Sequence, residues 1–319
     1  MTSFKPSNVL ILGGTGTIGK YITASILRAN LSLNVTLFTS PNTAAAKTDL
    51  LNNWKSQGLS IIIGDITSDA DITAAYRGID TVISAVGRGA LQVQINLLRL
   101  AEASDSVQWF LPSEYGTDIE HNEKSPNEKP HQLKLKVRKF VREEIKRVKV
   151  TYVVTGPYFD MWVNAHPGVE RAGGFIPEKK EAYVIEDGEG KIGFCTMWDV
   201  GKFVAATLRH PQESFGKALK VQSFVVTPNK VLAEYEKQTG SQFKVTKTPL
   251  DEIRRLEAKA WEDGVPTATA FTLRRIWAEG GTLYDKNDND VVGVKPKELD
   301  TLADGVRKAL AGGYKSDTF

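Results

Sequence analysis

Apolar runs without polar alternation recur through the first half of the chain, and such runs predict strands that are covered on both faces. They occupy residues 8–12, 35–38, 59–63, 81–86, 107–111 and 151–154. Segments with helical periodicity separate them at residues 43–57, 70–76 and 91–103. This alternation predicts right-handed βαβ units. We therefore expect an α/β fold class with a Rossmann-type, doubly wound parallel sheet.

The regular alternation stops after Tyr158, where short apolar runs at 182–185, 193–196 and 221–226 mix with helical segments. Asp199 is a predicted helix N-cap, Pro228 is predicted to open another helix, and residues 299–311 are predicted to form a closing helix. We expect residues 1–158 to form a dinucleotide-binding domain and residues 159–319 a smaller α/β lobe that binds substrate. The two regions can exchange segments.

A glycine-rich turn joins the first apolar run to the first helical segment. Gly13, Gly16 and Gly19 have GxxGxxG spacing, which suits a tight turn, close approach of phosphates and close helix–strand packing. A pyrophosphate at the helix N-terminus would meet unpaired N–H groups and the positive end of the helix dipole. The turn therefore predicts a dinucleotide site. Its expected contacts are Gly13, Thr15, Gly16, Thr17 and Ile18.

The same turn overlaps a second motif, because residues 14–20 read G-x-x-x-x-G-K. A P-loop needs Ser or Thr at the next position to hold magnesium, and Tyr21 stands there instead. The three-glycine interpretation also accounts for Gly13 and Gly16. A dinucleotide is therefore favoured over a nucleoside triphosphate.

The end of the second predicted strand favours NADPH. An NAD site needs an acid there for the ribose 2′-hydroxyl, and none occurs before Asp49. Thr39, Ser40 and Asn42 have groups that donate hydrogen bonds to a 2′-phosphate, and Lys47 would add positive charge. The arginine typical of an NADP site is missing from this stretch.

The carboxyl ends of later strands should meet the glycine turn at one edge of the sheet. The residues that follow these strands are further expected cofactor contacts: Ala85, Val86, Gly87, Gly156, Pro157 and Tyr158. Neighbouring aromatic residues predict an apolar pocket that accepts a ring: Tyr115, Tyr158, Phe159 and Trp162. The alternative, left open here, is that these aromatic residues form the core of the joint between lobes.

One lysine falls on the apolar face of a predicted helix at residues 131–148. At 100° per residue the apolar side chains cover an arc of roughly 140°. Lys134 lies inside this arc, whereas Lys136 lies outside it. A partly desolvated lysine has a lowered pKa and can exchange protons with a substrate. The alternative is that Lys134 extends along the edge of the arc to solvent.

Neighbouring residues limit what chemistry this lysine supports. Pro130 precedes Lys134 by four residues, which excludes the Tyr-x-x-x-Lys pair of short-chain dehydrogenases at this position. Glu144 also falls in the arc and is a candidate ion partner for the lysine. We interpret His131 as a loop or cap residue.

The motifs GGTGTIG, VISAVG, FLPSEYG and LKLKVRKF together resemble the NmrA-like, isoflavone-reductase-like (phenylcoumaran benzylic ether reductase-like) family of atypical short-chain dehydrogenases. The resemblance implies an NADPH-dependent reductase with one catalytic lysine, which matches Lys134. In the family this lysine handles the proton on a substrate oxygen, and it lies beside the cofactor. The family's arginine after the second strand is Ser40 here, and its Asn-Cys-Phe is residues 156–158, Gly-Pro-Tyr.

Composition narrows the possible partners. A net charge of +3 gives no support for binding to nucleic acid or an acidic membrane, and no run of 18 apolar residues predicts a membrane span. The first residues contain no hydrophobic segment, and the single Cys195 forbids an internal disulfide, so a cytoplasmic protein is expected. The four scattered histidines predict no metal site. We expect a monomer or homodimer with a small aromatic substrate.

Three functions stay open at this stage. The first is NADPH-dependent reduction of an aromatic or heterocyclic molecule of secondary metabolism, with Lys134 handling the substrate proton. The second is a dinucleotide-sensing regulator of the NmrA type that turns nothing over. The third is an enzyme that keeps the cofactor while catalysing a rearrangement without net redox change.

Overall fold

The protein was analysed as a computed structural model that describes residues 3–312 of the 319-residue chain. The strands are β1 (Asn8–Leu12), β2 (Asn34–Thr39), β3 (Ser60–Ile63), β4 (Thr81–Ser84), β5 (Trp109–Leu111), β6 (Lys149–Val150), β7 (Tyr152–Val154), β8 (Gly174–Ile176), β9 (Glu181–Ile185), β10 (Ile192–Phe194), β11 (Ala218–Lys220), β12 (Phe224–Val226) and β13 (Lys244–Thr248).

Helices follow or separate these strands throughout the described residues. They are α1 (Gly19–Arg28), α2 (Pro41–Ala46), α3 (Thr48–Ser56), α4 (Asp69–Ala75), α5 (Val93–Ala103), α6 (Gln132–Glu144), α7 (Phe159–Trp162), α8 (Met197–Arg209), α9 (Pro211–Ser214), α10 (Pro228–Thr239), α11 (Leu250–Glu262), α12 (Ala268–Ala278) and α13 (Leu302–Leu310).

The first lobe is built on a six-stranded parallel sheet in the order β3-β2-β1-β4-β5-β6. This is the strand order of a doubly wound Rossmann sheet, so the predicted fold class is confirmed. β1 lies at its centre, and four of its five residues are fully buried because helices cover both faces. The strand order changes direction between β1 and β4, and a crevice opens there at the carboxyl ends of the strands.

Two local predictions are wrong in informative ways. The predicted helix at 43–57 is two helices, because the Thr48 hydroxyl bonds back to the carbonyl of Ala45 where α2 ends. The N-cap of α8 is Thr196, whose hydroxyl accepts a hydrogen bond from the Asp199 backbone N–H. Asp199 is instead a buried acceptor for the Ser223 hydroxyl. Pro228 opens α10, as predicted.

Part of the second half of the chain packs onto the first lobe. α8 lies along α1, and a Cβ at Gly201 would come within 2.4 Å of the Tyr21 carbonyl oxygen. β11 pairs in parallel with β7. Within the segment 197–220, α8 therefore packs on the first lobe, and β11 adds a strand beside β7.

The second lobe comprises a β8–β9–β13 sheet, the antiparallel strand pair β10–β12, and helices α7 and α10–α13. Its core centres on stacked and edge-on rings of Phe159, Phe175, Phe194 and Tyr235. A hydrogen bond joins α12 of the second lobe to the first lobe: Trp277 Nε1 donates to the Thr117 hydroxyl. No helix within residues 3–312 is long and apolar enough to cross a membrane.

Candidate active site

A cleft of about 620 Å³ opens between the lobes at the carboxyl ends of the sheet strands. One wall comes from the glycine turn, the loops after β4 and β5, and α6. The other wall comes from α7 and α12 of the second lobe. The crevice predicted from strand order is therefore a real cavity, and it is large enough for a cofactor ring together with a small aromatic molecule.

The glycine turn fits a pyrophosphate. Gly13 has φ +74°, and a Cβ there would lie 2.7 Å from the Ala85 carbonyl oxygen. Gly19 packs so closely that a Cβ would come within 2.1 Å of the Gly13 carbonyl oxygen. Gly16 and Thr17 are exposed, and α1 begins without a side-chain cap or an acid in its first turn. This helix end is thus free to meet an anionic ligand.

The expected cofactor contacts divide between the turn and the cleft. Those lining the cleft are Thr17, Ile18, Val86, Gly87, Gly156, Pro157 and Tyr158. Gly13, Thr15 and Gly16 form the turn itself, whereas Ala85 is buried against Gly13 and does not line the cleft. Gly156 has φ +64°, and a Cβ there would meet the Gly193 carbonyl oxygen at 2.8 Å. The glycine in place of the family's asparagine is thus demanded by the backbone.

The stretch after β2 is only partly placed as expected. Thr39 is buried at the end of the strand, and Ser40 is the N-cap of α2, its hydroxyl accepting from the Thr43 backbone N–H. Lys47 stands past the far end of α2, about 9 Å of helix beyond Ser40. The two residues that we expect to meet a 2′-phosphate therefore stand at opposite ends of α2.

Lys134 stands on the first turn of α6 and lines the cleft. Its ammonium donates a hydrogen bond to the backbone carbonyl of Glu114, so it does not extend to solvent. Burial lowers the pKa of Lys134; the nearby Glu114 carboxylate opposes this shift, and Arg88 and Arg138 strengthen it. Glu144 is exposed at the far end of α6, so its interpretation as the ion partner of Lys134 is wrong.

Sequence reasoning missed the group that fixes this rim of the cleft. Arg138, one turn after Lys134, is 2% exposed and bonds Glu114 at 3.1 Å, Asp118 at 3.3 Å and Glu120 at 2.9 Å. Burial alone would lower the pKa of Arg138, but the carboxylates raise it on balance. Glu114 of PSEYG and Arg138 of KVR are thus ion partners. The sequence signal was the position of Arg138 four residues after Lys134, which places both side chains on one face of α6.

His131 is more than a cap residue. It occupies the N-cap position of α6, is 4% exposed, and its Nδ1 lies 3.1 Å from the Ser125 carbonyl oxygen. A carbonyl only accepts, so Nδ1 carries the proton and Nε2 keeps its lone pair. Nε2 is buried without a hydrogen-bond partner in the described structure. Burial is the main cause that lowers the pKa of His131 to about 4. The hydrogen bond to Ser125 opposes this shift, and the charge of Lys134 adds to it.

The two tyrosines of the rim are neutral. Tyr158 donates its hydroxyl to the Tyr115 carbonyl, and Tyr115 has a buried hydroxyl without a hydrogen-bond partner among the described residues. Burial raises the pKa of both phenols. Cys195 is likewise a buried core thiol whose pKa burial raises, as its apolar setting predicts.

The aromatic residues after β7 separate into two groups. Trp162 lines the cleft opposite Lys134, together with Trp277 of α12, which the sequence did not single out. Phe159 is fully buried against Phe194 and Phe224 in the second-lobe core. The structure thus contradicts the assignment of Phe159 to the substrate pocket, because the α7 turn directs its ring away from the cleft. No group of three His, Cys, Asp or Glu side chains within residues 3–312 could hold a metal.

Comparison with known proteins identifies the family. Residues 5–299 match the model of the NmrA-like family. The chain belongs to the NmrA-like family. Among curated relatives of this NmrA-like protein, phenylcoumaran benzylic ether reductase IRL1 of Ginkgo biloba is 26% identical over 90% of this chain and 92% of its own length. Isoflavone reductase homolog A622 of Nicotiana glauca is 26% identical over 75% of this chain and 76% of its own length.

Solved structures share the fold of this NmrA-like protein. AtPrR2 with NADP⁺ and (+)-pinoresinol superposes with a TM-score of 0.80 at 20% identity, covering 96% of this chain and 99% of the other. The leucoanthocyanidin reductase–NADPH complex of Vitis vinifera gives 0.78 at 21% identity, covering 96% and 100%. These names agree with the expectation of an NADPH-dependent oxidoreductase.

Proposed function

We propose that this chain is an NADPH-dependent reductase of an aromatic or heterocyclic small molecule, with Lys134 as the residue that handles the substrate proton. The observation that carries the proposal is the position of Lys134 in the cleft, with its ammonium on the Glu114 carbonyl and its pKa lowered by burial. A surface lysine with full solvation would offer no such chemistry.

The proposed cofactor site consists of the glycine turn and the cleft-lining residues after β4 and β7, namely Val86, Gly87, Gly156 and Pro157. The uncapped start of α1 would hold the pyrophosphate, and the exposed Gly87 leaves backbone open to the nucleotide. Ser40 and the start of α2 would face the ribose phosphate. When bound, NADPH supplies a hydride to the substrate.

Lys134 would then complete the reduction at the substrate oxygen. Its Nζ–H bond breaks and an O–H bond forms, which leaves a neutral amine whose formation the lowered pKa favours. The Glu114 carbonyl aims the ammonium, and the Arg138 ion-pair cluster fixes the Glu114 loop. Trp162 and Trp277 on the opposite wall offer aromatic faces for the substrate ring.

The test is Lys134→Ala compared with Lys136→Ala, a solvent-exposed lysine on the same helix. We expect Lys134→Ala to lower turnover of a reducible phenolic or enone substrate by about 10²- to 10⁴-fold while NADPH affinity stays within a few-fold. Lys136→Ala should leave both unchanged. Unaltered turnover in Lys134→Ala, with NADPH still bound, would show that the assigned role is wrong.

A dinucleotide-sensing regulator is the second candidate. It is favoured by Ser40, which serves as a helix cap where the family resemblance leads us to expect an arginine. A sensor would bind a protein partner only with dinucleotide present and would consume no NADPH with any phenolic, imine or enone compound. The half-buried, cleft-lining Lys134 weighs against it, because sensing needs no proton donor.

A further inference from the structure

Arg274 on α12 is a buried cation in the second lobe. It is 8% exposed, and its Nη2 donates to the backbone carbonyls of Trp162 and Asn164. Its guanidinium carbon lies 5.6 Å from the ring centroid of Trp162 and 5.8 Å from that of Trp277. The side chain is thus held in place by carbonyl dipoles and indole faces.

No carboxylate within residues 3–312 pairs with this guanidinium, in contrast to Arg138, the other buried arginine of the described residues. Its Nε and Nη1 donate no hydrogen bond to a described protein atom. Burial lowers the pKa of Arg274 to about 10, and no neighbouring anion offsets the shift. A buried charge without a counter-ion costs several kcal/mol, so this position favours an anion supplied from outside the chain.

Arg274 lines a second cavity of about 50 Å³, separate from the cleft except for the shared wall of Trp162. Its other walls are apolar side chains of β8, β9 and β10, including Phe175, Val184 and Phe194. Of the residues that line it in the described chain, Arg274 carries the only charge. The cavity is therefore an apolar chamber with one cationic end.

We propose that this cavity binds a short-chain aliphatic carboxylate, with the carboxylate on the free edge of the Arg274 guanidinium and the hydrocarbon end among the apolar side chains. A planar carboxylate matches the fork of N–H donors, which is the usual geometry of arginine recognition. The volume holds only a few non-hydrogen atoms, because one water needs about 10–15 Å³. A doubly charged phosphate would lose more solvation than a single arginine restores. The site does not depend on the proposed reductase function.

The experiment measures Tm of the full-length protein with sodium butyrate, butyramide, sodium phosphate or sodium chloride at equal ionic strength. For butyrate we expect a saturable rise of about 4 °C at 50 mM with a Kd of about 1 mM. Butyramide, phosphate and chloride should give no saturable rise. Arg274→Met should abolish the butyrate effect, while Arg255→Met, an exposed arginine on α11, should retain it.

A second variant keeps the test decisive if Arg274→Met fails to fold. Ile185→Phe enlarges a half-buried side chain that lines the cavity and leaves Arg274 in place. It should weaken butyrate binding at least tenfold, read by butyrate-induced change in tryptophan fluorescence from Trp162 and Trp277. The proposal is overturned if butyrate and butyramide act alike on the wild type, if phosphate or chloride matches butyrate, or if either cavity variant binds butyrate as the wild type does.

Discussion

Each lobe contains one buried arginine among the described residues, and the surroundings of the two side chains differ completely. Arg138 on the Rossmann side bonds three carboxylates, of which Glu114 and Asp118 are buried with it. Arg274 in the second lobe contacts, within residues 3–312, backbone carbonyls and indole rings but no carboxylate. Two arginines that are both buried therefore have different roles. Arg138 completes a structural ion cluster, whereas the positive charge of Arg274 has no ion-pair partner within residues 3–312.

The comparison predicts unequal stability costs, and Arg138→Met should have the largest effect. It leaves the buried Glu114 carboxylate without an ion-pair partner and the buried Asp118 carboxylate with Lys220 alone, so we expect the free energy of unfolding to fall by about 3–5 kcal/mol. Arg142→Met, which breaks an exposed contact to the same Glu120, should cost less than about 1 kcal/mol. Urea unfolding measures both. Equal costs for the two variants would contradict the cluster's structural role.

The Arg138 side also carries an acid-sensitive group, His131. Its pKa is about 4 in the folded chain and 6.5 when unfolded, so the unfolded state binds more protons between these values. His131 thus contributes stability that is full above pH 6.5 and is lost as the pH falls towards 4, by up to about 3 kcal/mol. Asp160 acts in the opposite direction, because burial above all raises its pKa to about 6.

The difference between wild type and His131→Asn isolates the histidine from Asp160. Unfolding free energies measured from pH 7 to pH 4 should fall less steeply in the variant, whose amide can still donate to the Ser125 carbonyl. Parallel curves would mean that the folded protein accommodates a protonated His131.

Arg274→Met should have the smallest effect of the three on stability. The change removes donors from two carbonyls but strands no carboxylate, so a loss of about 1–2 kcal/mol is expected without added ligand. It should also raise the pKa of His166, which burial lowers first and Arg274 second; NMR titration of the imidazole measures this. A cost as large as that of Arg138→Met would indicate a counter-ion inside the protein.

The sheet was predictable because its signal is local. Each buried strand is an apolar run, and the strand–turn–helix order determines the topology through the handedness of βαβ units. Helix ends were less predictable, as the break between α2 and α3 shows. There the Thr48 hydroxyl takes a backbone carbonyl that a continuous helix would use, and hydrophobic periodicity contains no signal for this bond.

The site was predictable on one wall only. Lys134 stood out because a charge fell on an apolar helix face, and the glycine turn stood out by spacing. Trp277 and Arg274 lie more than a hundred residues later on a helix whose place in the cleft depends on tertiary packing. Phe159 and Trp162 share one turn of helix, and only the packed structure shows that one faces the core and the other the cleft.

The seating of α8 on α1 has a mechanical consequence. The chain passes between the lobes near residues 158, 196 and 222, and residues 291–299 return to the first-lobe core between α12 and α13 of the second lobe, so five segments would have to bend together for the lobes to swing apart. A hinge works best where few segments cross. We expect molecules to enter the cleft by rearrangement of its mouth, and the distance between the two tryptophans and Lys134 to stay nearly constant through a catalytic cycle.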